Sequence, residues 1–213
     1  MCKRNGKPRY LSVCSGIEAA SVAWEPLGWE PAAFSEIEPF PSAVLAHHWP
    51  DVPNLGDMTE HERWNIEPGS IDVLAGGTPC QAFSVAGLRK GLDDHRGGLT
   101  RTFVEIAGRL KPRWIVFENV PGLLSMHDNS FGNLLAALVG AGSALVPPRG
   151  LKWTAAGMVA GPERVAGWRT LDAQFFGVPQ RRRRVFVVAL AVPPGFGRGW
   201  RTCWNPMRRA GSF

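Results

Sequence analysis

Short apolar runs alternate along this chain with segments in which apolar residues recur at the helical period. The short runs, each followed by polar or glycine-rich residues, predict buried strands, and the periodic segments between them predict helices. The predicted strands are 10–14, 31–35, 71–75, 114–117 and 185–191. The predicted helices are 17–27, 41–48, 100–110 and 131–139.

This alternation predicts an α/β domain built on a mostly parallel sheet. Ligands of such sheets bind beyond the carboxyl ends of the strands, so the residues that leave those ends are the first candidates for a site. We expect them to gather along one edge of the sheet. They are Ser15-Gly16, Glu36, residues 76–80 and Glu118-Asn119.

Composition restricts the class of protein. The 213 residues are 45% hydrophobic and 20% charged, which is typical of a globular domain and excludes general disorder and coiled coil. The four cysteines lie far apart, which predicts neither a zinc site nor a disulfide framework and favours a reducing cytoplasm. Since the cysteines form no metal-binding pair, we expect no metal. Because no apolar run approaches the length of a membrane helix, we expect no membrane as partner.

Positive charge is concentrated at the end of the chain. The net charge is +6, yet residues 181–213 hold eight arginines and no acidic residue, while residues 1–180 sum to −2. A segment of this kind is typical of a protein that binds a polyanion such as nucleic acid, and equally of a solubilising tail.

Three segments have the residue types of catalysis. Cys80 follows a proline at a glycine-rich strand end, where its thiolate could be a nucleophile, although a buried core cysteine fits equally well. Glu118 leaves an apolar strand and could donate a proton, or could cap a helix together with Asn119. Alternation along a strand places Arg182 and Arg184 on one face, where they could bind a phosphate or carboxylate, or form a solvated basic edge.

The first two strands suggest a nucleoside cofactor. Ser15-Gly16 forms a turn into a helix, and an acid at the end of the second strand, Glu36 or Glu38, follows about 20 residues later and could bind a ribose diol. S-adenosylmethionine has no phosphates and would need no phosphate-binding glycine loop. An ordinary strand-to-helix turn explains the same segment, and Asp57 could accept from an adenine amine or be an exposed loop acid.

Taken in order, these segments resemble the DNA (cytosine-5) methyltransferase family, in particular its bacterial and phage members. The resemblance covers about residues 10–190 and implies a Rossmann-like S-adenosylmethionine-dependent methyltransferase fold, with helices on both faces of the sheet. The matching segments are LSVCSGIEAASVAW (11–24), FSEIE (34–38), GDM (56–58), GGTPCQAFSVAG (76–87), DHRGGL (94–99), ENV (118–120) and QRRRRVF (180–186).

The resemblance implies how cytosine in double-stranded DNA would be handled. Cys80 would add to C6 of a cytosine flipped out of the duplex, Glu118 would bind the base edge and protonate N3, and Asn119 would hold the shape of the loop. Arg182 and Arg184 would steady the base and the acid. The residues implied to contact DNA are Gln81, Ser84 and Arg96.

It also implies the residues that hold S-adenosylmethionine. The methionine part would contact the first turn, the ribose hydroxyls Glu36, the adenine face Ile37 and the adenine amine Asp57. The implied cofactor residues are Ser15, Gly16, Ile17, Glu36, Ile37, Asp57, Met58, Pro79 and Leu99.

The chain departs from the family after about residue 190, where the family continues into a target-recognition domain and a last motif. We therefore expect a catalytic domain over residues 1–192 and an irregular basic tail over 193–213, in a chain that ends before target recognition. Three alternatives follow: an enzyme completed by a second chain, a fragment that binds S-adenosylmethionine or DNA without activity of its own, or an RNA cytosine methyltransferase.

Overall fold

A computed structural model describes residues 6–79, 98–147 and 152–193 of the chain. The strands are β1 (Arg9–Val13), β2 (Glu30–Ser35), β3 (Val73–Gly76), β4 (Trp114–Asn119), β5 (Ala156–Ala160), β6 (Arg164–Asp172) and β7 (Arg183–Ala191). The helices of the described residues are α1 (Ala19–Trp24), α2 (Pro39–His48), α3 (Gly98–Leu110) and α4 (Ser130–Val139). Short 3-10 turns lie at Glu25–Leu27, Met58–Arg63, Pro121–Ser125 and Ala173–Phe176.

The seven strands form one sheet in the order β2-β1-β3-β4-β7-β6-β5. The first four strands are parallel, whereas β7 is antiparallel to both β4 and β6, and β5 is antiparallel to β6. The carboxyl ends of β1 to β4 therefore lie at one edge, beside the amino end of β7. The predicted α/β fold with a parallel core is confirmed, and so is the expectation that these strand ends gather.

Side chains of the parallel strands alternate between two apolar layers, because successive residues of a strand point to opposite faces. Leu11 of β1 belongs to a core in which α3 and α4 pack on the sheet. Its neighbour Tyr10 belongs to a second, smaller core that contains Leu45 of α2. Helices thus cover both faces, as the resemblance implies.

Two parts of the predicted secondary structure differ from the fold. The first helix is shorter than 17–27, because Glu18 has a left-handed backbone (φ 63°) and caps α1, and the chain tightens into a 3-10 turn at Pro26. Strands β5 and β6 were not predicted. Their segment is rich in alanine and glycine, and all but one residue of β5 are exposed, so no apolar alternation marks it.

No helix among the described residues combines the length and the apolar character needed to cross a membrane. In the same ranges, His, Cys, Asp and Glu do not form any group of three or more that could hold a metal ion.

Candidate active site

A cavity of about 410 Å³ opens at the edge where β1 to β4 end. Its wall combines residues from seven separate segments of the chain. Most of the residues proposed for the cofactor and for catalysis lie here together. The sequence-predicted residues in its wall are Glu36, Ile37, Asp57, Met58, Pro79, Leu99, Glu118, Asn119, Arg182 and Arg184.

Glu36 lies just beyond β2, and backbone donors fix its carboxylate. Oε2 accepts from the N–H of Gly16 at 2.7 Å, and Oε1 accepts from the N–H groups of Ile37 and Glu38, each at 2.9 Å. Gly16 adopts φ +57°, a conformation that a residue with a side chain rarely takes. The turn after β1 therefore holds Glu36 in place and leaves Oε2 able to accept one further hydrogen bond.

Asp57 lies at the start of the 3-10 turn Met58–Arg63, where its Oδ1 accepts from both the N–H and the hydroxyl of Thr59 at 2.8 Å. This cap orients the carboxylate at the cavity wall. Beside it, Ile37 is 64% exposed although it is apolar. A carboxylate next to an exposed apolar side chain can bind a flat heterocycle that carries an amine.

Glu118, near the carboxyl end of β4, is bound by an arginine of the neighbouring strand β7. Arg184 of β7 donates from Nε to Oε1 at 2.8 Å, and the two side chains are 35% (Glu118) and 23% (Arg184) exposed. The other oxygen lies against Gly77, where a Cβ would come within 3.0 Å of Oε2. The antiparallel register, which pairs Glu118 with Phe186, brings Arg184 beside the acid.

Asn119 fixes the segment that leads to Pro79. Its Nδ2 donates to the carbonyl of Thr78 at 2.9 Å, and its Oδ1 accepts from the N–H of Val120 at 2.8 Å. The hydroxyl of Thr78 shares a buried hydrogen bond of 2.8 Å with Thr100 of α3. The two threonines were missed in the sequence, where the run Gly-Gly-Thr-Pro-Cys was the only signal for Thr78.

Cys14 also lines the cavity and was not among the predicted site residues. Burial, together with the negative charges of Glu36 and Asp57, raises the pKa of its thiol to about 11. The thiol donates to the sulfur of Met58 at 3.5 Å. Near neutral pH Cys14 is therefore a protonated thiol and a poor nucleophile.

The three predicted residues of the first turn are not in the wall of this cavity. Ser15 lines an adjoining cavity of about 670 Å³, whose wall shares Glu118, Arg182 and Arg184 with the first. Its hydroxyl joins β1 to β2 by donating to the carbonyl of Ser12 at 3.1 Å and accepting from the N–H of Ser35 at 3.2 Å. Ile17 is 60% exposed and lines a separate groove next to α2. Gly16 reaches the site only through its N–H bond to Glu36.

Four predicted site residues lie outside the described residues: Cys80, Gln81, Ser84 and Arg96. The described chain stops at Pro79, in the cavity wall, and resumes at Gly98. The roles of these four residues therefore stay predictions.

Comparison with known families gives one match over most of the chain. The family model described as C-5 cytosine-specific DNA methylase matches residues 9–193. The match spans all seven strands and every described segment of the cavity wall.

Two relatives from phages show the same similarity at the level of whole sequences. A protein of Escherichia phage P1 named DNA N-6-adenine-methyltransferase is 54% identical, over 85% of this chain and 28% of its own length. The orphan methyltransferase M.SPRI of Bacillus phage SPR is 34% identical, over 87% of this chain and 38% of its own length. The chain thus spans less than two fifths of either relative.

A solved structure shows the same fold. The crystal structure of a Spodoptera frugiperda DNMT2 mutant superposes with a TM-score of 0.59 at 21% sequence identity. The match covers 96% of this chain and 54% of that one.

Proposed function

Because this chain belongs to the C-5 cytosine-specific DNA methylase family, we propose that it transfers a methyl group from S-adenosylmethionine to C5 of cytosine in double-stranded DNA. The observation that carries the proposal is the ion pair of Glu118 with Arg184 beside Pro79. It places an oriented carboxyl group next to the residue that precedes Cys80.

S-adenosylmethionine is the cofactor, and it supplies a methyl group activated on a sulfonium sulfur. The donors and acceptors of the cavity wall fit it. Glu36 can accept from a ribose hydroxyl, Asp57 can accept from the adenine amine, and Ile37 offers an apolar surface to the adenine ring. Leu99 and Met58 complete an apolar wall, and the volume falls in the usual range for a small-molecule site.

The reaction explains why a thiol and a carboxyl group are needed together. C5 of cytosine is a poor nucleophile until the sulfur of Cys80 forms a bond to C6 and N3 takes a proton, which makes C5 electron-rich. Glu118 would give that proton from Oε2, since Arg184 occupies Oε1, and the carboxyl group would have to carry the proton on Oε2 before the transfer. After C5 has gained the methyl group, its own proton would pass to water and the C6–S bond would break to release the Cys80 thiolate. N3 would return its proton to Glu118.

Asn119 holds the backbone that leads to Cys80. By binding the carbonyl of Thr78 it fixes the backbone two residues before Cys80, so the nucleophile starts from an anchored strand end. Cys14 does not compete with Cys80, because its raised pKa keeps the thiol protonated.

The proposed partner is duplex DNA, from which cytosine must be flipped out at a cost of a few kcal/mol. Gln81, Ser84 and Arg96 would contact the DNA, and Arg182 would steady the flipped base.

The name of the phage P1 relative gives a second candidate, methylation of the N6 amine of adenine. An exocyclic amine needs no covalent activation by a thiol. The two candidates therefore differ in whether Cys80 is required.

The identity of the methylated nucleoside tests the proposed function. The purified chain would be incubated with S-adenosylmethionine carrying a labelled methyl group and with duplex DNA or structured RNA, and the labelled nucleosides would be separated after digestion. We expect label in 5-methyldeoxycytidine from DNA, and none with Cys80→Ala. Label in N6-methyldeoxyadenosine or in RNA would overturn the proposal, and label in no nucleoside would favour a fragment without activity of its own.

A further inference from the structure

The carboxylate of Asp172 joins the two ends of the loop between β6 and β7. Asp172 is the last residue of β6 and pairs with Arg183 in the register of the two strands. Its Oδ1 accepts from the backbone N–H of Arg182 at 3.0 Å, across the ten-residue connection. The N–H of Ala173 donates in turn to the carbonyl of Arg182 at 3.1 Å, so both backbone groups of Arg182 are bound.

The same carboxylate also fixes the first turn of the loop. Oδ1 accepts from the N–H of Gln174 at 3.4 Å, and Oδ2 accepts from the side-chain amide of Gln174 at 2.8 Å. Asp172 thus caps the 3-10 turn Ala173–Phe176 and ties it to the segment that enters β7.

Arg182 depends on this anchor more than Arg184 does. The guanidinium of Arg184 is held by Glu118, whereas that of Arg182 makes no hydrogen bond or ion pair within the described parts of the chain. Both arginines line the cavity. The direction from which the Arg182 side chain enters the cavity is therefore set by its backbone, and its backbone is bound to Asp172.

We propose that Asp172 is a positioning residue for methyl transfer, which acts by fixing the backbone of Arg182 so that its guanidinium meets the target nucleotide. This inference rests on the proposed function, because it concerns the same cavity. This role requires an oxygen acceptor at Oδ1 but not a negative charge, because the donor is the neutral backbone N–H of Arg182.

Three variants of the full chain test the proposal. Asp172→Ala removes the acceptor, and Asp172→Asn keeps an oxygen at Oδ1. Asp128→Ala is the matched control, because Asp128 caps α4 by accepting from the N–H and hydroxyl of Ser130 at 3.1 and 2.7 Å and lines neither cavity. The readouts are kcat and KM for S-adenosylmethionine in methyl transfer to duplex DNA, and amide hydrogen exchange.

We expect Asp172→Ala to lower kcat at least tenfold with KM for S-adenosylmethionine within twofold, and Asp172→Asn to keep kcat within threefold of the natural chain. Exchange should accelerate at residues 173–184 in Asp172→Ala alone, while Asp128→Ala should keep both values. An Asp172→Ala variant with unchanged kcat would overturn the proposal, and so would an Asp172→Asn variant as impaired as Asp172→Ala.

Exchange separates the failure of this inference from the failure of the proposed function. If the natural chain methylates no cytosine, the proposed function fails. Faster exchange confined to residues 173–184 in Asp172→Ala then still supports the anchoring of Arg182, and unchanged exchange there overturns it.

Discussion

Two carboxylates dominate the site at the scale of single residues, and different donors hold them. Glu36 is bound by three backbone N–H groups, and Glu118 is bound by the guanidinium of Arg184. Backbone donors orient an acceptor for a neutral ligand such as a sugar hydroxyl. A neighbouring guanidinium instead orients a carboxyl group that must meet the edge of a base.

Replacing Glu36 should weaken the binding of S-adenosylmethionine. Glu36→Ala removes the acceptor for a ribose hydroxyl and frees the N–H of Gly16, so we expect a loss of about 1–3 kcal/mol, or roughly five- to 150-fold in Kd. Titration calorimetry with the cofactor measures it.

Glu30→Ala is the matched control for Glu36→Ala. Glu30 lies at the opposite end of the same strand, β2, in an exposed ion pair with Lys7 at 2.9 Å. Its loss should leave Kd unchanged. Equal Kd values for Glu36→Ala and the natural chain would place the ribose elsewhere.

At the scale of elements, the four parallel strands and β7 could be predicted, whereas β5 and β6 could not. Predicted strands such as 10–14 and 114–117 are short, mostly apolar runs, and β1 and β4 lie within a few residues of them. β5 and β6 have no such signal, because β5 is an exposed edge strand and small residues interrupt its partner.

The same division holds for the candidate site. Glu118 and Arg184 could be predicted because each stands beside a strong strand signal. Thr100 and Asp172 could not, because their roles depend on hydrogen bonds to residues 22 and ten positions away. The placement of Ile17 outside the cavity follows from the tight backbone of the first turn, which composition does not reveal.

The 3-10 turn Met58–Arg63 introduces a pH dependence where it packs on α3. His61 is 7% exposed, and its pKa is lowered, first by burial and then by Arg109, although Glu105 opposes this. The unfolded chain takes up this proton more readily than the folded chain does. The free energy of unfolding should therefore fall as pH drops below about 6.5, the ordinary histidine value.

The change to make is His61→Gln, with thermal unfolding measured at pH 7.5 and 5.5. We expect a smaller loss of Tm on acidification in His61→Gln than in the natural chain. His127→Gln, which removes an exposed imidazole, controls for the loss of one titratable group. An identical loss of Tm in His61→Gln and the natural chain would contradict this reading of the turn.

At the scale of the whole molecule, the arginines that enter β7 and the cavity lie at the same edge of the sheet. The amino end of β7, with Arg183 and Arg184, adjoins the carboxyl end of β4. Lys7, Lys111 and Arg113 precede β1 and β4, and so lie at the opposite edge. A polyanion that approached the cavity would first meet the arginines at the amino end of β7, residues 181–184.

Substitution of Arg181, Arg182 and Arg183 by glutamine should therefore lower the salt dependence of DNA binding. Each lost phosphate contact reduces the slope of log K against log salt by about 0.9. Fluorescence anisotropy with a labelled duplex over a series of salt concentrations measures this slope. The matched control replaces Lys7, Lys111 and Arg113, and should keep it. Equal slopes in both triple variants would assign the basic segment to solubility.

The central claim is that Cys80 attacks cytosine beside Glu118, and trapping the covalent bond tests it most directly. The chain would be mixed with S-adenosylmethionine and duplex DNA carrying 5-fluorocytosine, because fluorine at C5 blocks the final elimination. Intact mass should then show a protein–DNA adduct that carries one added methyl group and is absent with Cys80→Ala. A folded, cofactor-binding chain that forms no adduct, or an adduct that persists in Cys80→Ala, would contradict the claim.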